Sequence, residues 1–111
     1  MILAELVKKE GFTQLTNIDL EAIEISGLYY GDLLSFVMAN GKENYGWVTV
    51  QTHVNIIAVA SLINFSCIIV PESISVDQST INKAETIGIP VISSKLDSFE
   101  IFNNYKETEE Q

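Results

Sequence analysis

The chain has 111 residues, 47% hydrophobic and 19% charged, the composition of one globular domain that buries a single core and has no room for a separate catalytic domain. Fifteen acidic residues face six lysines and no arginine, a formal net charge of -9. Nucleic acid and anionic membrane surfaces are therefore excluded as partners, because both are held mainly through basic side chains.

"ILAELVKKEG" sets Ile2, Leu3, Leu6 and Val7 at helical spacing with lysines in the last turn, and predicts a short amphipathic helix closed by Gly11. In "LEAIEISG", Ile23 and Ile25 alternate with Ala22, Glu24 and Ser26, the period of a strand with one wet face, suited to a sheet edge. Asp32 is placed to cap a helix over about residues 32 to 40, which stops at Asn40-Gly41.

"WVTV" is a short apolar strand over 47–50, and "VNIIAVASLI" a helix over 54–63 that is apolar almost all round. Such a helix needs cover on several sides, from a sheet and from other elements or a second subunit. "SCIIV" has no wet face and suits the centre of a parallel sheet. It also holds the only cysteine, Cys67, which reads as a buried small hydrophobe with no intramolecular partner.

Two more helices carry start signals: Asp77, with Val76 and Ile81 as a staple and Gly88 closing, and Asp97, with Glu100 as a capping box and Leu96 and Ile101 as a staple. "IPVIS" lies between them as another strand. The expected fold is an α/β single compact domain, mainly a parallel sheet with helices on both faces, preceded by an N-terminal helix and a short hairpin. The domain is expected over residues 1–106, with 107–111 as a frayed acidic tail. The N-terminus shows no basic region leading into a long apolar one, and no stretch reaches membrane-spanning length, so a cytoplasmic location is expected.

Ligands of open parallel sheets bind outside the carboxyl ends of the strands. "QTH" (Gln51, Thr52, His53), "PES" and "SSK" (with Ser93 and Ser94) converge on that edge. His53 would sit at a helix start, where the dipole favours a neutral imidazole, with Thr52 as N-cap and Asn55 as a capping partner. The alternatives are a purely polar cap and a ligand contact, balanced for Thr52 and Asn55 and tilted toward ligand or interface for His53. Tyr30 is a pocket candidate, and Tyr29 is expected to fill the seam between hairpin and sheet. Nucleotide-binding glycine loops, zinc or calcium spacings and a nucleophile elbow are absent, so no cofactor, metal or catalytic residue is assigned.

"GLYYGDLLSFVMANGKENYGWVTVQTHVNIIAVASL", followed by "IIVPES", "INKAETIGIPVISS" and "SFEIF", resembles the stand-alone members of the DRTGG domain family over most of the chain. The naming motif differs: in place of Asp-Arg-Thr-Gly-Gly stands "EAIEISGLYYGD", without an arginine. An anionic family ligand would thus lose a partner here.

The resemblance implies a compact α/β regulatory and dimer-forming module related to the N-terminal domain of HPr kinase. Such modules occur alone or joined to phosphotransacetylases and to pyrophosphatases with CBS domains. Stand-alone copies accompany iron-hydrogenase and serine-kinase-like regulatory genes. Gly27, Tyr30, Gly31, Asp32, Ser35, Gln51, Thr52, His53 and Asn55 match the shared motif by position.

The leading expectation is a non-enzymatic cytoplasmic homodimer that senses a small, nucleotide-like molecule or docks on a regulatory protein. A second is a small enzyme with His53 as general base, assisted by Asp32 or Thr52. A third is a purely structural constellation tying the 32–40 helix to the sheet.

Overall fold

A computed structural model describes residues 1–111. In chain order the elements are α1 (Leu3–Val7), β1 (Phe12–Gln14), a 3-10 turn (Leu20–Ala22), β2 (Leu28–Tyr30), α2 (Leu34–Asn40), β3 (Gly46–Val48), α3 (Asn55–Ile63), β4 (Cys67–Val70), α4 (Gln78–Ile87), β5 (Val91–Ser94) and α5 (Ser98–Glu109). The five strands form one sheet in the order β1-β5-β4-β3-β2. All neighbours are parallel except β1, which runs antiparallel to β5.

The apolar runs explain this arrangement. Every residue of β3 and β4 is buried, so both faces of the sheet must be covered, and parallel strands joined by crossover helices provide that cover. Side chains alternate between the faces. Trp47, Ile68, Val70 and Val91 pack on one side with Val37 of α2, Ile56, Ile57 and Ala60 of α3 and Ala84 of α4. Val48, Cys67, Ile69 and Ile92 pack on the other with Leu3 and Leu6 of α1 and Ile101 and Tyr105 of α5. Trp47 stacks on Phe65 at 5.3 Å between ring centroids, so one aromatic pair joins the sheet to the loop that precedes β4.

The C-terminal half follows the sequence reading. Strand, helix, strand, helix, strand, helix succeed one another from residue 46. Gly88 closes α4 at φ 91, and the Asp97–Glu100 capping box is fully formed. Asp77 occupies the N-cap position of α4 without a side-chain cap bond.

The N-terminal half departs from it. α1 stops at Val7 with Lys8 as its C-cap, and Gly11, at φ 100, turns the chain into β1 instead of capping the helix. The 21–26 alternation is not a strand. The Asp19 carboxylate accepts the Glu21 N–H and closes the 3-10 turn, after which the chain docks on α1 through the Leu3 N–H to Ile23 carbonyl and Ile25 N–H to Met1 carbonyl bonds. Only the isolated bridge Ile2↔Glu24 remains of the expected pairing.

The edge strands are instead β1 and β2, each three residues long. They lie at opposite ends of the sheet, so no N-terminal hairpin exists. Tyr29 belongs to β2 itself and packs toward Phe65 at 6.1 Å. α5 continues through Glu109, with Tyr105 and Thr108 buried, so the final acidic residues are mostly helical and not a frayed tail. No helix is long and apolar enough to cross a membrane.

Burial pushes the Cys67 thiol up to about 12. Its thiolate is therefore not formed near neutral pH, and a thiol reagent should leave the folded protein unlabelled but react fully once it is unfolded in denaturant. Labelling of folded protein at the rate of an unfolded peptide would contradict the buried position. Ile68, fully buried between α3, α4 and the sheet, predicts a loss of about 3–4 kcal/mol for Ile68→Ala, read from the shift of a urea unfolding curve.

Candidate functional site

The carboxyl ends of β2, β3 and β4 converge on one edge, and a single carboxylate organises it. Asp32 follows directly from β2. Its Oδ1 accepts the Thr49 hydroxyl at 2.9 Å and the Val50 N–H at 2.8 Å, and its Oδ2 accepts the Tyr30 hydroxyl at 2.7 Å. Gln51 completes the bracket: its Nε2 donates to the Asp32 carbonyl at 2.9 Å and its N–H donates to the Thr49 hydroxyl at 3.2 Å. One residue earlier, the Gly31 carbonyl accepts the Trp47 indole N–H at 2.9 Å. The ends of β2 and β3 are thus fastened beyond the sheet ladder.

These bonds set the local electrostatics. Partial burial alone would raise the Asp32 pKa, but hydrogen bonds from Tyr30, Val50 and Thr49 outweigh it and hold the carboxyl below its ordinary value. The same contact raises Tyr30, with smaller contributions from burial and from the charges of Asp32 and Glu72. Near neutral pH this edge holds a carboxylate beside a protonated phenol.

The bracket also shows why α2 starts late. Asp32 is engaged by Tyr30 and by the segment after β3 and does not cap the helix, whose N-cap is Leu33 with no side-chain bond. α3 likewise begins at Asn55 with Val54 as its N-cap, so Thr52 is not a cap. Its carbonyl instead accepts the Thr80 hydroxyl of α4 at 2.7 Å.

Beside the bracket a cleft of about 620 Å³ opens on the α1–α5 side of the sheet. Leu28 and Val48 of the strands line it together with Tyr30, Phe99 and Phe102, and its polar groups come from Glu72, Asp97 and Ser98. Phe99 is 83% exposed, an uncommon position for a large apolar ring. Glu72 and Ser73 both take positive φ, 58 and 55, just after β4. Their N–H groups are tied to the Leu96 and Ser94 carbonyls at 2.9 and 2.8 Å, so this turn is pinned to the segment that leads into α5.

The motif residues therefore divide. Tyr30, Gly31, Asp32 and Gln51 come together, and only Tyr30 also lines the cleft. Gly27 lies at the opposite end of β2, where an added Cβ would meet the Tyr45 ring at 2.7 Å, a packing requirement. Ser35, His53 and Asn55 are exposed, and no side-chain hydrogen bond reaches the His53 imidazole. Ser94 is buried, with its hydroxyl donating to the Gly11 carbonyl at 2.7 Å and accepting the Leu96 N–H at 3.1 Å. Ser93 faces a separate small polar cleft with Ser73 and Lys95.

Thr49, Phe99 and Phe102 are not singled out by the sequence, and Glu72 only as part of the "PES" segment. Phe99 and Phe102 carried the available signal: two aromatics on the first turns of a helix whose buried face uses Ile101 and Tyr105. No group of three or more His, Cys, Asp or Glu side chains gathers as a metal site.

Asp32→Ala should lower stability by about 1–2 kcal/mol, because three donors lose a charged acceptor at a half-exposed position where water compensates in part. The Asp32 pKa lies lower in the folded than in the unfolded chain, so its contribution is complete above the unperturbed 3.8 and fades as pH falls through the lowered value. Urea midpoints of wild type and variant should therefore differ at neutral pH and converge in acid. A constant difference would contradict the assignment.

No protein-family model matches the chain, and no curated protein matches it. Among solved structures, it is similar to the CBS and DRTGG domains of the regulatory region of Clostridium perfringens pyrophosphatase, crystallised with its activator diadenosine tetraphosphate. The TM-score is 0.69 at 16% identity, over 96% of this chain and 45% of that one. At that identity the likeness is one of fold: the chain spans under half of the regulatory region it matches and shares its backbone architecture.

Proposed function

We propose that this chain is a regulatory module without catalytic activity, which senses a small molecule at the carboxyl edge of its sheet and works as a homodimer. The cleft between Tyr30, Phe99 and Phe102 is the observation that carries the reading. It is concave, partly apolar and within the size range of small-molecule sites, at the edge where open α/β sheets bind ligands. The fold shared with a regulatory region that takes a nucleotide activator supports the sensor class.

The isolation of His53 supports a non-catalytic reading. A general base needs a partner that orients its ring and a pocket that excludes water. His53 lies on the surface outside the cleft.

The homodimer draws its support from the outer face of α3 and α4. Val54, Leu62 and Ile87 are exposed there at 40, 69 and 45% around a shallow groove whose lining carries one charge, Lys83. Two copies of a chain with net charge -9 repel over most of their surface. This face has no lining carboxylate, so it is where a second copy approaches at least electrostatic cost.

Native mass spectrometry of the purified protein reads both halves of the proposal. A dimer carrying a retained small mass is expected. A bare monomer at micromolar concentration would overturn the homodimer, and Leu62→Glu should weaken dimerisation by about tenfold or more, on the order of 1.4 kcal/mol. His53→Ala should change the unfolding free energy by less than about 0.5 kcal/mol, as for an exposed side chain without partners. A turnover that this variant abolishes would overturn the non-catalytic reading.

A further inference from the structure

We propose that the cleft beside Asp32 takes a small organic cation, an ammonium or guanidinium group on an apolar body, and not a phosphate-bearing ligand. This inference rests on the sensor reading and names the chemical class of what is sensed.

The lining is complementary to positive charge. Glu72 and Asp97 contribute carboxylates, the Asp32 carboxylate lies behind the Tyr30 hydroxyl, and no lysine lines the space. The chain has no arginine, and its lysines are used elsewhere. Lys8, Lys9, Lys95 and Lys106 pair with Glu21, Glu107, Glu10 and Glu109. Lys42 sits 5.5 Å from the centre of the Tyr45 ring, and Lys83 lies on the α3–α4 face.

The one feature that attracts anions, the N-terminus of α5, already carries two acids of its own. The Asp97 carboxylate accepts the Glu100 N–H at 2.8 Å, and the Glu100 carboxylate accepts the Asp97 N–H at 3.0 Å. A phosphate placed here would find the Ser98 and Phe99 N–H groups flanked by two carboxylates whose charge opposes its own.

The aromatic rings point the same way. Tyr30, Phe99 and Phe102 are 55, 83 and 48% exposed around one space, and ring faces attract cations, each contact contributing about 0.5–2 kcal/mol according to how far it is desolvated. Exposed aromatics together with carboxylates that no lysine neutralises make a receptor for a charged amine with hydrocarbon around it. An uncharged apolar ligand would use the rings and leave the carboxylates unmatched.

The test is an amide-resolved NMR titration of the full chain with three probes: choline, its uncharged carbon isostere neohexyl alcohol, and adenosine monophosphate. Choline should give saturable shifts at Tyr30, Glu72, Ser98 and Phe99. Neohexyl alcohol should bind the same amides at least about fivefold more weakly, and adenosine monophosphate should leave them unmoved.

Glu72→Gln keeps the side-chain shape at its positive φ, and Phe99→Ala alters a ring that is almost wholly exposed. Each should weaken choline by about threefold or more while leaving the unfolding midpoint in place. Equal binding of the neutral isostere, insensitivity to both variants, or no saturation by choline would overturn the inference. Saturation by adenosine monophosphate at these amides would overturn it too, while leaving the sensor reading standing.

Discussion

The fold depends on one constraint, that β3 and β4 have no residue that can face water. Seven positions on the two faces of the sheet, Gly46 to Val48 and Cys67 to Val70, are all buried, and each large side chain among them contributes about 1.5–3 kcal/mol only if a helix covers it. Crossover connections supply a helix layer on one face through α2, α3 and α4. The other face is closed by the two ends of the chain, α1 and α5. Termini and centre are thereby linked: the N-terminal ammonium of Met1 donates to the Ile25 carbonyl at 3.1 Å, and Lys9 reaches both the Asn104 carbonyl and Glu107 of α5.

Parallel strands that all end on one side leave their last carbonyls and the following loops at a common edge. That edge has to be held together without a ladder, and here side chains do it. Asp32 takes three donors from β2 and the segment after β3, while Ser94 ties the end of β5 to Gly11 and to Leu96. These polar groups are satisfied within the protein, and no buried side-chain polar atom lacks a partner. Of the bracing residues Tyr30 alone reaches the cleft next to it, whose remaining lining comes from Leu28, Val48, Glu72 and the start of α5.

That distinction explains what was legible in the sequence. The C-terminal half is readable because β4 is an unbroken apolar run and its helices carry start and stop signals, as at Asp97, Glu100 and Gly88. The N-terminal half is not, because β1 and β2 are three-residue edge strands whose pattern is no stronger than that of a loop. The Ile23 and Ile25 alternation mimicked a strand that the Asp19 turn and the docking on α1 displaced. Within the site, Asp32 read as a helix cap because a carboxylate before an apolar run usually is one. Its true partners, Thr49 and Val50, are 17 and 18 residues away, a tertiary choice that no local window contains. His53 is a lone imidazole between apolar runs, and the structure leaves it on the surface.

The likeness of fold to a regulatory region crystallised with a polyphosphate activator sits beside a cleft lined by Glu72 and Asp97 and by no lysine. The two observations are compatible because backbone and ligand class are decided by different residues. Buried apolar side chains fix where the strands end, and therefore where a cleft can open. The few exposed side chains around the opening fix what can enter it, and they change without cost to the core. In this chain Glu72 and Asp97 line the opening, no lysine does, and the Tyr30, Phe99 and Phe102 rings stand at its rim. The shared architecture fixes where a cleft can open and leaves the charge of its lining to the exposed residues around it.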